Sequence, residues 1–157
     1  MLELSPKQIK EIADLLDAGL ICYFNINTQE IKEIIDFDSN EYAEPDDWQE
    51  IIDEIDEHYD DYIKFERMSS HESFNIMKEF IDEVEDEKLK NRLVWALSRS
   101  HPFQNFKDEI DYNGDYREKW FEFKLGKNIE FVERQILEYN QLEKFKESQA
   151  EQGKHED

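Results

Sequence analysis

Residues 20–37, LICYFNINTQEIKEIIDF, decide the fold class of this chain. Leu20–Ile26 and Glu30–Phe37 are rich in isoleucine, tyrosine and phenylalanine, and a polar connection from Asn27 to Gln29 separates them. Two short apolar runs joined by a few polar residues are typical of a β-hairpin. The sequence therefore predicts two antiparallel strands here, in a chain whose remaining signals are mostly helical.

Helix and strand signals lie on both sides of this hairpin. Before it, Ser5 and Gln8 form a capping box with Pro6 in the first turn, and Gly19 ends that helix. After it, Tyr62–Met68 alternates apolar and polar residues, which predicts a third strand. Further helices are predicted to begin at or just after Pro45, Ser69, Asp86, Pro102 and Asp115.

The last of these helices is expected to run from Asp115 to about Asn140, with a bend at Gly126. We therefore expect a helix-dominated α+β fold, in which a small antiparallel sheet of about three strands is covered by five to six helices. No repeat and no Pro-, Gly- or Ser-rich linker divides the chain. We predict a single domain over residues 1–140 and a frayed or disordered polar tail over residues 141–157.

Composition excludes several classes of function. The 157 residues carry a net charge of -22, which argues against general affinity for nucleic acid phosphates and favours basic partners. No apolar run is long enough to cross a membrane, and residues 1–8 do not resemble a signal peptide. A single cysteine, Cys22, excludes an intramolecular disulfide and is expected to be a buried, inert thiol. We expect a cytoplasmic protein without a cofactor.

Negative charge is concentrated in residues 36–61, DFDSNEYAEPDDWQEIIDEIDEHYDD, called the acidic segment below. It holds thirteen Asp and Glu residues and no Lys or Arg. Its helix places apolar residues on one side and carboxylates on the other. Four of those carboxylates define the acidic face: Glu50, Asp53, Glu54 and Glu57. This face is interpreted as a plain solvated surface, a docking surface for a basic protein, or an imitation of a phosphate backbone.

A metal-binding loop is a further interpretation of the acidic segment. Asp36, Asp38, Asn40 and Asp47 occupy positions 1, 3, 5 and 12 of an EF-hand-like register. Against calcium binding, Glu41 stands at the sixth position, where such a loop needs glycine. We favour a solvated connection between strand and helix over a metal site.

Catalytic motifs are otherwise absent from the sequence. Glu54 and His58 share a helical face and, with Asp36 and Asp38, are the candidates for a carboxylate-based, metal-dependent enzyme. The chain has no HExxH pattern, no phosphate-binding glycine loop and no nucleophile elbow. The sequence therefore favours a non-enzymatic protein.

A basic stripe is predicted on a later helix, where Lys88, Arg92, Trp95 and Arg99 follow one another at i, i+4, i+7 and i+11. Arginine over tryptophan is a favourable cation–π arrangement, and surfaces that combine aromatic and basic residues stack single-stranded bases. The stripe is interpreted as intramolecular packing, a protein contact or, alternatively, an RNA-binding site.

Several short segments together resemble one family. They are Glu66–Ser70, Phe74–Met77, Arg92–Leu97, the Pro-Phe-x-x-Phe-Lys of Pro102–Lys107 and the Trp-Phe-x-Phe of Trp120–Phe123. With them the chain resembles the uncharacterised bacterial protein family 0158 of the UPF series, over roughly residues 4–139. The resemblance implies no activity, cofactor or catalytic residue. The aromatic residues of these segments, Phe103, Phe106, Trp120, Phe121 and Phe123, are expected to form core.

Overall fold

A computed structural model of the chain describes residues 1–155, with side chains for residues 1–153. Within those residues it contains a three-stranded antiparallel sheet and six α-helices, so the predicted helix-dominated α+β class is confirmed. The residues form two compact units. The first comprises Met1–Arg67 and the described residues from Asn128 onward, and the second comprises Met68–Lys127.

Helices and strands follow one another along the chain with short connections. They are α1 Pro6–Asp17, β1 Leu20–Asn25, β2 Ile31–Ile35, α2 Gln49–Glu57, β3 Tyr62–Phe65, α3 Ser70–Asp82, α4 Glu87–Ser98, α5 Pro102–Asp111 and α6 Gly114–His155. Two short 3-10 turns, Pro45–Trp48 and Tyr59–Asp61, flank α2.

The predicted hairpin forms the centre and one edge of the sheet. β1 lies between β2 and β3 and pairs with both in antiparallel orientation. Asn25, which is buried, organises the turn because its side-chain oxygen accepts hydrogen bonds from the backbone N–H groups of Asn27 and Thr28, at 2.9 and 3.0 Å. Gln29 takes the left-handed conformation with φ 64°, which reverses the chain.

The core of the first unit lies on one side of this sheet. Cys22 and Phe24 of β1 and Phe65 of β3 share that side, since paired residues of neighbouring strands point the same way. They pack with Ile12 of α1 and Val132 of α6 in a cluster of buried residues. The long final helix thus contributes to a core built mainly by the first 67 residues.

The second unit is helical and has an aromatic core. Phe80 of α3, Leu93 of α4, Phe106 and Ile110 of α5 and Trp120 of α6 are buried in one cluster. The rings of Phe106 and Trp120 meet edge to face with centroids 4.8 Å apart. Such contacts add to the stabilisation that burial of the rings already provides.

Helix ends follow the predicted caps. Ser5 and Ser69 each form the predicted capping box, and the Asp86 carboxylate accepts the backbone N–H groups of Lys88 and Leu89. The helix predicted at Pro45 begins there as a 3-10 turn and becomes α-helical at Gln49.

The residues predicted to form the tail lie in the C-terminal part of α6. The helix runs through Gly126 without interruption and includes residues 141–155. Fraying or disorder of residues 141–157 stays a prediction, as does the single domain over residues 1–140, and residues 156 and 157 lie outside the described part of the chain.

Candidate functional site

The acidic face lies on α2, as predicted, and its four carboxylates are exposed. They differ in their contacts. Among the residues that the structure describes, the side chains of Glu50 and Glu57 have no hydrogen-bond or salt-bridge partner, whereas the carboxylate of Asp53 accepts a 2.7 Å hydrogen bond from the side chain of Gln49. Two exposed tyrosines flank this helix: Tyr42 in the preceding loop is 95% exposed and Tyr59 just after the helix is 73% exposed.

In the acidic face, Glu54 forms a salt bridge with a residue of the sheet. Its carboxylate lies 3.0 Å from the ammonium of Lys32 on β2, whose side chain is only 13% exposed. The hydrogen bond that Lys32 donates to Glu54 is the main cause that raises the pKa of Lys32 above its usual value. With Ile55 buried in the same helix, this ion pair holds α2 on the second side of the sheet. Glu54 is therefore a structural residue as well as a surface charge.

The loop that follows β2 is fixed by an arginine from the end of β3. Arg67 donates from Nη1 to Asp36 Oδ2 at 3.2 Å and to Ser39 Oγ at 3.3 Å, and from Nε to the carbonyl oxygen of Leu16 at 3.1 Å. One side chain thus joins α1, the loop and the end of β3.

These contacts change the proton affinity of Asp36. Partial burial alone would raise its pKa, but hydrogen bonds from Ser39, Arg67 and the backbone N–H of Asp38, with the charge of Arg67, lower the pKa below its usual value. The Asp36 carboxylate is thereby occupied by protein donors. Among the described residues, no three His, Cys, Asp or Glu side chains come together in a group that could hold a metal ion. The preference for a solvated connection over a calcium site at Asp36, Asp38, Asn40 and Asp47 stays a prediction.

The basic stripe lies on α4 and at its end, in the second unit. Trp95 is 64% exposed, and the guanidinium of Arg99 lies over its ring at 5.7 Å from the centroid. Arg92 donates to Glu109 of α5 at 3.2 Å. Lys88 is exposed and has no side-chain partner among the described residues. The stripe is a real surface feature, with one of its three cations paired within its own unit.

The aromatic residues that were expected to form core divide into two groups. Phe106 and Trp120 are buried, and Phe123 packs against them. Phe103 and Phe121 are 38% and 41% exposed, so the prediction is wrong for these two. The guanidinium of Arg117 lies 4.8 Å from the centre of the Phe121 ring, which covers one face of that ring. Helical periodicity groups residues on a face but does not say which face a neighbour covers.

A cleft between α2 and the sheet was not predicted from the sequence. It has a volume of about 310 Å³ and is lined by apolar side chains of both elements and by three aspartates. The salt bridge of Lys32 with Glu54 was also not predicted from the sequence. The signal that could have found both is the alternation of β2, because it places Lys32 and Ile34 on the side of the sheet opposite to the main core.

Cys22 is a buried core residue, as predicted. Its side chain is fully buried between the sheet and α1. Burial, with the nearby charges of Glu33 and Glu11, raises the pKa of the thiol to about 12. A thiol with a raised pKa stays protonated at neutral pH, which disfavours nucleophilic attack and metal binding.

Fold and surface together define a small, acidic, helix-dominated α+β protein. Of the helices that the structure describes, none is long and apolar enough to cross a membrane. The model of the uncharacterised protein family UPF0158 matches residues 11–155, and the chain belongs to this family. The resemblance predicted from the sequence is thereby confirmed. Neither the comparison with curated proteins nor that with solved structures finds a match.

Proposed function

We propose that this protein is a cytoplasmic, non-enzymatic interaction or regulatory protein that binds a basic partner through its acidic face. The proposal depends on one observation: the side chains of Glu50 and Glu57 on α2 are exposed and have no partner among the described residues. Glu50 and Glu54, and likewise Asp53 and Glu57, are like-charge pairs at i, i+4, which repel on a helix. Cations from a partner would relieve that repulsion.

The distribution of charge between the two units supports the same partner chemistry. Residues 68–127 contain 13 acidic and 10 basic side chains, and the rest of the chain contains 28 acidic and 9 basic ones. Almost the whole net charge therefore belongs to the part of the sequence that carries the acidic face. A field of one sign accelerates association with an oppositely charged partner.

The exposed tyrosines add a second kind of contact. Tyr42 and Tyr59 lie just before and after the helical part of the acidic segment. A tyrosine ring stacks favourably on an arginine guanidinium, which also pairs with a neighbouring carboxylate. The surface thus favours arginine-containing partners over those that carry lysine alone.

Matched charge variants test this proposal. One variant carries Glu50→Gln, Asp53→Asn and Glu57→Gln; its control carries Glu133→Gln, Glu138→Gln and Glu151→Gln on α6, which changes the net charge by the same amount. We expect immobilised wild type and control to capture the same basic proteins from a cell extract, and the face variant to lose them. The captured proteins, once purified, should bind less tightly as salt is raised. Equal capture by the two variants would remove the proposal.

A second candidate function, RNA binding by the basic stripe, is favoured by the exposed Trp95 with Arg99 over its ring. We expect a single-stranded RNA oligonucleotide to bind with an affinity that falls steeply with salt. The double variant Arg92→Glu, Arg99→Glu should abolish this binding in a gel-shift titration. An unchanged affinity would exclude the stripe.

A further inference from the structure

The cleft beside the acidic face has an apolar interior. Ile21 and Ile34 of the sheet line one side, and Ile52 and Ile55 of α2 line the other. Ile34 and Ile55 are buried, whereas Ile21 and Ile52 are half-buried. Its volume of about 310 Å³ lies at the lower end of the range for ligand-binding pockets. The space therefore suits one apolar group of modest size.

The rim of this cleft is acidic. Asp36, Asp38 and Asp56 contribute carboxylates, and Lys64 contributes the rim's ammonium. Asp36 is occupied by Arg67, and Lys64 lies 3.5 Å from Glu66. Asp38 and Asp56 are exposed, and neither side chain has a partner among the described residues. The charges left for a ligand are thus negative, which disfavours an anion and favours a cation next to the apolar group.

We propose that this cleft receives one apolar side chain, such as leucine, from a basic segment of the partner, with flanking Lys or Arg residues directed at Asp38 and Asp56. This inference rests on the proposed function, and it states what kind of basic partner the acidic face selects. Exposed ion pairs contribute little affinity individually. Interfaces instead draw most of their binding energy from a few anchors in desolvated pockets, surrounded by polar contacts.

Two synthetic peptides test the anchor separately from the charges. Both are ten-residue Lys/Arg peptides of equal net charge, with leucine at the centre of one and serine at the centre of the other. Burial of a leucine side chain corresponds to about tenfold or more in affinity. We therefore expect the leucine peptide to bind the full chain at least about tenfold more tightly in fluorescence anisotropy titrations. Equal affinities of the two peptides would overturn the inference and leave the proposed function standing.

Substitutions at Ile52 test whether the preference for the leucine peptide arises in this cleft. Ile52→Phe fills the cleft from α2, so it should reduce the leucine preference to about one while the salt-dependent binding of the serine peptide persists. Ile52→Ala, chosen in case the larger residue prevents folding, should move the preference from leucine towards a tryptophan-centred peptide. Circular dichroism verifies that both variants fold. A leucine preference that both folded variants retain unchanged would refute the assignment to this cleft.

The acidic-face variant separates the two proposals. Glu50→Gln, Asp53→Asn and Glu57→Gln should weaken both peptides by the same factor and leave their ratio unchanged. If neither peptide binds the wild-type chain, or if binding is indifferent to this variant and to salt, the proposed function fails and the anchor fails with it.

Discussion

Reversing the charge of Glu57, the last residue of α2, should stabilise the protein. Glu57 opposes the negative end of the helix dipole and lies one turn after Asp53, a residue of like charge. Lysine at this position would favour the helix end and form an i, i+4 pair with Asp53 in the preferred orientation, acid before base. It would remove no contact, because Glu57 has no partner among the described residues.

The size of the effect follows from these terms. Replacing a repulsive by an attractive i, i+4 pair changes stability by about 0.4 to 1 kcal/mol, and a favourable charge at an exposed helix end adds about 0.3 to 1 kcal/mol. Salt screening and side-chain entropy reduce the sum, so we expect about 1 kcal/mol at low ionic strength. For a protein of this size that corresponds to a rise of roughly 2 to 4 °C in Tm.

Urea titrations at low salt and in 1 M NaCl, followed by circular dichroism, measure this change. Glu50→Lys is the matched control, because Glu50 lies in the first turn of the same helix, where a negative charge is favourable. For Glu50→Lys, the stability gained from an attractive pair with Glu54 and the stability lost by placing a positive charge at the helix start should nearly cancel. The reasoning is wrong if Glu57→Lys destabilises the protein, if both variants change stability equally, or if 1 M NaCl leaves the difference intact.

Three further predictions concern the interior and its borders. Because Asp36 has a lowered pKa, the stability that its ionised carboxylate provides is complete above about pH 4 and is lost as the pH falls through the lowered pKa. Asp36→Asn should therefore reduce the free energy of unfolding, measured in urea titrations, more at pH 7 than at pH 2. Equal reductions at the two pH values would contradict the ion pair with Arg67. Leu93→Ala should destabilise the protein by about 2 to 5 kcal/mol, since Leu93 is fully buried, whereas Val94→Ala at an exposed position should stay within about 0.5 kcal/mol. Cys22 should not react with a thiol reagent in the folded protein and should react readily in urea; rapid reaction without denaturant would show that the first unit opens.

Local signals in the sequence predicted the elements of this fold well. The hairpin, the capping boxes at Ser5 and Ser69 and the cap at Asp86 each depend on residues a few positions apart, and the structure confirms them. Propensity and capping operate over one or two turns, so they are visible in a single sequence.

Contacts between distant parts of the chain could not be predicted in this way. Lys32 pairs with Glu54 and Arg67 with Asp36, and each pair joins residues more than twenty positions apart. Their choice depends on strand order and on which side of the sheet α2 covers. The contribution of Val132 to the core of the first unit is of the same kind, because no local pattern says which core a long helix joins.

Those distant contacts show that the carboxylates of the acidic segment do not all have the same role. Among its thirteen carboxylates, those of Asp36 and Glu54 form salt bridges with a Lys or Arg of the described chain and fasten the loop and α2 to the sheet. Neutralising them would loosen the scaffold, so a loss of binding in such variants would not identify a binding residue. Glu50, Asp56 and Glu57 have no such structural contact. A binding experiment is informative at these positions, because a change there alters the charge that a partner meets without removing a contact that holds the fold together.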